Sequence, residues 1–265
     1  MFLNGMAIKT NITDLTPAVD RLKRELDLVS GGYSLKEAYP SGRVTVWPWD
    51  PEIAEWVVDL ADKSDDDNDN FSASVVAKLV RRPKEVVDRF IASELLLIML
   101  FSRAIASDGS VTYTPTCPHC GFKHPPCSIQ IPGNLGVIGK KLADYVGFDT
   151  VILPVSKDVL TVKPLTVRDA DIATTAEMRK KSGLSNTSLR AMAAIMTVGG
   201  GTPESLDELL AYYKALVPHD REYLAKTLNE QVNPGLDTRV PHKCDRPSCG
   251  KEFKHNLGLT YDFFL

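Results

Sequence analysis

The sequence contains no long apolar run. Its most apolar stretch, Leu95–Phe101, is flanked by Glu94 and Arg103 and is far shorter than the roughly 20 residues that a helix needs to cross a bilayer. Residues Met1–Gly5 also lack the charged and apolar regions that open a secretory signal. We therefore expect a protein that has no membrane contact and is made in a reducing cytoplasm.

Positive charge is not in surplus, and the common catalytic motifs are missing. The 265 residues include 31 Lys and Arg against 34 Asp and Glu, which gives a net charge of −3. Because nucleic-acid-binding proteins neutralise phosphates with Lys and Arg, this balance argues against a dedicated nucleic-acid binder. The chain has neither Gly-x-Ser-x-Gly nor His-Glu-x-x-His, and the stretch Gly199–Thr202 lacks the lysine of a phosphate-binding loop. We expect no enzymatic activity and no small-molecule substrate.

Cysteine is rare, with five in the chain, but four of the five fall into two short pairs. Two residues separate Cys117 from Cys120, and four separate Cys244 from Cys249. Each pair lies between two stretches that read as strands. These stretches are residues 111–116, 128–131, 238–243 and 252–259. A tight turn between strands lets two thiolates point the same way, and a structural Zn²⁺ takes four such ligands at about 2.3 Å.

This spacing predicts that the two pairs meet in space and share one Zn²⁺, with Cys117, Cys120, Cys244 and Cys249 as its ligands. Four protein ligands leave no coordination position for water or substrate, so the expected role of the ion is structural.

Other arrangements of the cysteines stay open at this point. Two disulfides are an alternative, although a reducing cytoplasm keeps thiols reduced. Cys127, His119 or His124 is an alternative ligand in place of one of the four cysteines, and chance spacing is the remaining explanation. If Cys127 is not a ligand, we expect it to be an ordinary small side chain.

A shared ion would make much of the chain an insertion, because 123 residues separate Cys120 from Cys244. Closing so long a loop is entropically costly in the unfolded chain, so the metal should stabilise the fold considerably.

The predicted fold class is α+β, mainly helical, with a small β zinc ribbon formed by two distant cysteine knuckles. The predicted domains are an N-terminal arm and helix (1–35), a β-turn region with the central helix and first knuckle (36–131), a mainly helical insertion (132–237), and the second knuckle with a C-terminal strand (238–265).

Proline, glycine and capping residues set the predicted element boundaries. Thr166 and Asp169 resemble a capping box, with Asp in place of Glu.

The acidic run 65–70 lacks the Gly and Glu positions of a calcium loop, and we interpret it as a solvated linker. Alternating apolar residues after Leu257 predict a tail that packs internally or docks on a partner. The predicted helices cover 16–30, 50–60, 72–80, 84–106, 135–145, 166–181, 184–197, 202–217 and 219–232, and the further strands cover 43–47, 150–153 and 159–162.

The layout resembles the baseplate hub protein family of T-even and related contractile-tailed phages, a family that overlaps with tail assembly chaperones. The residues that carry the resemblance are the turn Tyr39–Gly42 with Val44–Val46, the apolar helix that leads to Tyr113 and Cys117–Gly121, the stretch Val162–Asp169, and the Cys244–Cys249 pair followed by Tyr261–Phe264. The four-residue gap between Cys244 and Cys249 departs from the two-residue gap expected there.

The resemblance implies a structural or assembly role in a phage tail baseplate, without enzymatic activity. Its implied partners are other baseplate or tail proteins, such as hub or wedge subunits, and its implied location is the virion after assembly in the host cytoplasm. An assembly chaperone that is absent from the mature particle is an alternative. A zinc-ribbon module that binds nucleic acid is another, since Lys243, Arg246, Lys251 and Lys254 cluster on the second knuckle. A hydrolase with an unrecognised site is the third.

Overall fold

The computed structural model describes residues 23–28, 42–63, 71–107, 109–131, 136–138, 148–232 and 235–257. This part of the chain is a mixture of helix and sheet. Its helices are α1 (Pro51–Lys63), α2 (Phe71–Leu79), α3 (Lys84–Val87), α4 (Glu94–Ala106), α5 (Val167–Ala173), α6 (Ala176–Ser182), α7 (Asn186–Ala193), α8 (Leu206–Ala215) and α9 (Pro218–Thr227), followed by a π-helical turn (Leu228–Val232). Its strands are β1 (Arg24–Asp27), β2 (Arg43–Val46), β3 (Ser110–Tyr113), β4 (Cys127–Gln130), β5 (Gly136–Ile138), β6 (Asp149–Ile152), β7 (Val159–Val162), β8 (Ile195–Val198), β9 (Gly235–Asp237), β10 (Arg239–Lys243) and β11 (Glu252–Asn256).

The first hydrophobic core surrounds α4. The antiparallel pair β1–β2, helices α1 to α4 and the hairpin β3–β4 all contribute side chains to it. Helix α4 is apolar around much of its circumference, and Leu97, Ile98, Met99 and Leu100 are each at most 2% exposed. The prediction of a buried central helix is therefore confirmed for this segment.

The second core lies wholly within the segment between the two cysteine pairs. Strands β6, β7 and β8 form an antiparallel sheet in that order, and Val151, Leu160 and Val162 point from it into the core. Side chains of α5, α7, α8 and α9 cover this face, among them Leu189 and Tyr213. A segment that buries its own sheet in this way has the packing of a separate structural unit.

Two contacts close the base of the insertion. Strand β5 pairs antiparallel with β9, so the chain that leaves toward the second core lies beside the chain that returns from it. The backbone after α3 also hydrogen-bonds to the start of α5: the Val167 N–H donates to the Phe90 carbonyl at 2.8 Å, and the Ala92 N–H donates to the Leu165 carbonyl at 2.9 Å. The insertion is thus joined to the first core by main-chain bonds.

Local capping chemistry is as predicted at the starts of α1 and α5, whereas α8 begins later than predicted and is capped by Ser205, whose hydroxyl accepts the Glu208 N–H. The Asp50 carboxylate accepts the N–H of Ile53 at 2.8 Å at the start of α1. At the start of α5 the Thr166 hydroxyl accepts the Asp169 N–H, and the Asp169 carboxylate accepts the Thr166 N–H, which completes a capping box. Lys163 lies 3.0 Å from the same carboxylate.

Several predicted helices are wrong in part. Residues 24–27 of the helix predicted at 16–30 form β1, and residues 136–138 of the helix predicted at 135–145 form β5. The helix predicted at 184–197 ends at Ala193, and its last residues form β8 because they pair with β7. The helix predicted at 84–106 is interrupted between α3 and α4, where the backbone bonds to α5 instead.

The description "mainly helical" is not confirmed for the chain, which is a mixture of helix and sheet. The insertion contains a three-stranded sheet beside its helices. The strands predicted at 43–47, 150–153 and 159–162 are present as β2, β6 and β7. Several other predictions lie outside the described residues. They concern the N-terminal arm, most of the turn at 39–42, the acidic run at 65–70 and the tail after Leu257.

Candidate metal centre

Two β-hairpins present the four paired cysteines. The hairpin β3–β4 carries Cys117 and Cys120 in its connection, and the hairpin β10–β11 carries Cys244 and Cys249 in its connection. The strands predicted on either side of each pair are therefore confirmed in kind, with ends that differ by a few residues.

The first knuckle is a tight hydrogen-bonded turn. The Cys117 N–H donates to the Phe122 carbonyl, and the Gly121 N–H donates back to the Cys117 carbonyl, both at 2.9 Å. The turn requires a left-handed backbone at Gly121, whose φ is +70°. Glycine takes this conformation without the Cβ clash that other residues meet.

The second knuckle repeats this plan with two additional residues. The Cys244 N–H donates to the Lys251 carbonyl at 2.9 Å, and Gly250 has a φ of +56° directly after the second cysteine. A turn absorbs the additional residues, because the N–H groups of Cys249 and Gly250 both donate to the Arg246 carbonyl, at 2.8 and 3.1 Å. The longer gap in the sequence therefore leaves both cysteines in knuckle positions.

We expect Gly121→Ala to lower the free energy of unfolding by about 1–2 kcal/mol, the cost of a left-handed backbone for a residue with a Cβ. A Cβ at this position would meet no other atom within 4 Å, so backbone strain is the whole effect. Urea denaturation measures the loss. Gly121→Asn is the control and should lose less, because Asn adopts this conformation more readily. If the alanine variant is as stable as the original protein, the left-handed turn is not what shapes the knuckle.

The four sulfurs converge to the dimensions of a single ion site. The Sγ atoms of Cys117 and Cys249 are 3.9 Å apart, those of Cys120 and Cys244 are 3.6 Å apart, and all four lie within 4.8 Å of one another. A tetrahedral ion with metal–sulfur bonds of about 2.3 Å requires sulfurs about 3.8 Å apart. Four cysteines thus form a group that could hold a metal ion.

The alternative ligands lie elsewhere. Cys127 is on strand β4, and its thiol donates to the Pro125 carbonyl at 3.4 Å. The Nε2 atom of His119 lies 3.4 Å from the Glu252 carbonyl oxygen, and the imidazole of His124 bonds to a carboxylate. Among the residues that the structure describes, these side chains do not join the converging group.

The protein environment acts differently on two of the thiols in the absence of metal. A hydrogen bond from the Phe122 backbone N–H is the main cause that lowers the pKa of Cys120 to about 7. Burial raises the pKa of Cys244 to about 12. Because a metal binds the thiolate, Cys120 is better prepared to bind than Cys244, which must release its proton as the ion enters.

We expect the metal-free protein to be alkylated by iodoacetamide at Cys120 before Cys244. The rate at Cys120 should rise as pH increases through about 7, because the thiolate is the reactive form and its pKa is lowered to that value. Peptide mapping by mass spectrometry at several pH values measures both rates. Earlier alkylation of Cys244 would contradict this assignment.

Aromatic and imidazole side chains hold the two hairpins together around the thiols. His124 is buried, and its Nδ1 atom lies 3.0 Å from the carboxylate of Asp245, so this pair joins the first hairpin to the second knuckle. The Tyr113 hydroxyl lies 2.9 Å from Nε2 of His242, and the ring of Tyr113 stacks on His255 at 5.2 Å. These histidines stand close to the cysteine pairs in the sequence, but the roles of Tyr113 and Asp245 do not follow from the sequence. The position of Asp245 directly after Cys244 is the feature of the sequence that could have indicated a side chain near the metal centre.

Comparison of the chain with protein-family models, curated proteins and solved structures finds no match. No helix in the described ranges combines the length and apolar character required to cross a membrane. The geometry of the thiols therefore carries the functional argument.

Proposed function

We propose that the four cysteines hold one structural zinc ion and that the protein is a non-enzymatic structural or assembly component of a contractile phage tail baseplate, in the hub region. The observation that carries the first part is the convergence of four thiols from cysteine pairs that lie 123 residues apart. The resemblance of the sequence to baseplate hub proteins supports the second part.

Zinc is the metal that best suits the site. Four thiolates in tetrahedral arrangement select zinc or iron–sulfur chemistry. Sulfur–sulfur distances of 3.6 and 3.9 Å leave room for one ion rather than for a cluster of irons. Cys117 and Cys244 are at most 3% exposed, which suits an ion that is enclosed rather than exchanged with solvent.

The same coordination supports a structural rather than a catalytic role for the ion. Once four protein ligands surround a zinc ion, no position remains for a water or a substrate. The ion then acts by joining the hairpin before the insertion to the hairpin after it. From the resemblance, the proposed partners are hub, wedge or other tail subunits rather than small molecules, in a virion assembled in the host cytoplasm.

Native mass spectrometry and absorption spectroscopy test the metal. We expect one zinc per chain and no visible absorption, because zinc is colourless. A coloured protein with one iron per chain would contradict the choice of zinc, and a metal-free protein that folds normally would contradict the site.

The inventory of proteins in purified phage particles tests the location. We expect the chain in mature particles, in the fraction that retains the baseplate. Presence in infected cells together with absence from particles would favour the assembly chaperone over the structural component. Absence of any association with tail intermediates would contradict both roles.

A further inference from the structure

The hairpin β10–β11 has two faces of different character. Residues paired across an antiparallel ladder share a face, and alternate residues of a strand share a face. Val240, His242, Phe253 and His255 form the inner face, and they are buried or half-buried. The outer face is exposed throughout and consists of Arg239, Pro241, Lys243, Glu252, Lys254 and Asn256.

The outer face and the adjoining knuckle carry more cations than acids among the described residues, although Glu252 lies opposite Lys243 in the ladder and Lys254 helps to lower the pKa of Asp237. Lys243 and Lys254 lie on the face, and Arg246 and Lys251 lie in the knuckle, all of them exposed. None of these four forms an ion pair with a residue in the described ranges. Arg239 differs, because it pairs with Asp237 at 2.7 Å.

The two hairpins are basic although the whole chain is acidic. Residues 109–131 contain no Asp or Glu, and residues 239–257 contain five Lys and Arg against two Asp and Glu. One of those acids, Asp245, is already engaged with His124. Lys123 in the first hairpin brings the number of Lys and Arg in the two hairpins to six, against two Asp and Glu. A zinc ion with four thiolates adds two negative charges, and the net charge of the two hairpins remains positive.

A groove of about 460 Å³ lies against this hairpin. Lys243 and Lys254 line it together with Pro241, His242, Phe253 and Glu252. The groove therefore sets two ammonium groups and one carboxylate beside apolar and ring surface, and its net positive charge suits a phosphate–sugar chain.

We propose that the outer face of β10–β11 and its knuckle bind the phosphodiester backbone of nucleic acid, without base recognition. Ammonium and guanidinium groups release counterions when they contact phosphates, and this term supplies essentially all non-specific affinity. The acidic remainder of the chain repels the same phosphates and directs the ribbon toward them. This activity is independent of the baseplate role and can fail or succeed separately from it.

Fluorescence anisotropy with a labelled oligonucleotide of unrelated sequence, as duplex and as single strand, tests the proposal. Replacing both Lys243 and Lys254 by Gln should reduce the slope of log K against log salt by about 1.8 for duplex or about 1.4 for single strand. Near 0.1 M salt, the change of about 1.8 in the slope for duplex corresponds to a loss of affinity of up to about 60-fold. Arg246→Gln with Lys251→Gln should show the same loss, and it provides a second variant if the first does not fold.

Lys180→Gln with Lys214→Gln is the matched control, because it removes the same charge from exposed positions on α6 and α8. We expect this control to leave the slope unchanged, and the zinc content of every variant to stay at one ion per chain. The proposal is overturned if neither oligonucleotide binds at low salt or if the control weakens binding as much as the hairpin variants do. Lysine-dependent binding to anionic phospholipid vesicles without binding to either oligonucleotide would also overturn it.

Discussion

Cys244→Ser is expected to prevent binding of the proposed zinc ion and to destabilise the part of the fold that the two hairpins join. Cys244 is 3% exposed, and its sulfur lies 3.6 Å from that of Cys120. Replacing it leaves a buried ligand position of the candidate centre without a thiolate. Binding energy at a structural zinc site is folding energy, because the unfolded chain offers no formed site. Native mass spectrometry should show zinc-free protein, and a thermal scan should show a large fall in melting temperature.

The matched control for this variant is Cys127→Ser. Cys127 lies on β4 outside the converging group, so this variant should keep its zinc and nearly its full melting temperature. The double variant Cys117→Ser, Cys120→Ser tests whether the two pairs share one ion. Full zinc occupancy in that double variant would eliminate the shared site.

Leu160→Ala is expected to lower the free energy of unfolding by about 2–5 kcal/mol, as for other buried leucines replaced by alanine. Leu160 is fully buried in the second core, on the inner face of β7. The zinc should remain bound in the folded protein, because the thiols belong to a separate cluster with Phe253 and Phe122. Urea denaturation gives the stability, and native mass spectrometry gives the zinc content.

Thr161→Ala is the control for the second core. Thr161 follows Leu160 on the same strand but faces the other side of the sheet and is only half-buried, so the expected loss is about 0.5 kcal/mol or less. Loss of zinc from folded Leu160→Ala protein would show that the two units are not independent. Equal destabilisation by both substitutions would contradict the assignment of the buried face.

The parts of the structure that depend on short-range chemistry were predictable. The knuckles follow from cysteine spacing and neighbouring strands, and the capping box at Thr166 follows from its own four residues. The convergence of Cys117 and Cys120 with the distant pair followed from the number of ligands that zinc requires. A chemical constraint therefore predicted a long-range contact that local patterns do not contain.

The parts that depend on distant partners were not predictable from local pattern. The apolar character of α7 continues into Ile195–Val198, so the local sequence does not mark where the helix ends. These residues form a strand rather than a further helical turn because they pair with β7. Likewise, α3 and α4 are separated because the backbone at Phe90 and Ala92 bonds to the start of α5, 77 and 73 residues further along the chain. Arg24–Asp27 forms a strand because β2 lies beside it, so tertiary pairing overrides the helical spacing of its apolar residues.

The separation of the two knuckles along the chain also sets the order of events during synthesis. Cys117 and Cys120 are synthesised first and supply only two of the four ligands that the proposed ion requires. Translation of the next 123 residues takes about 6–25 s at typical rates of about 5–20 residues per second. The second core lies entirely within 148–232, so all its residues emerge before Cys244 does. Domains generally fold as units during translation, so the insertion forms first and closure of the metal centre is the final step of maturation. A chain truncated before residue 244 and released from the ribosome would therefore display a folded insertion beside an open two-thiol site.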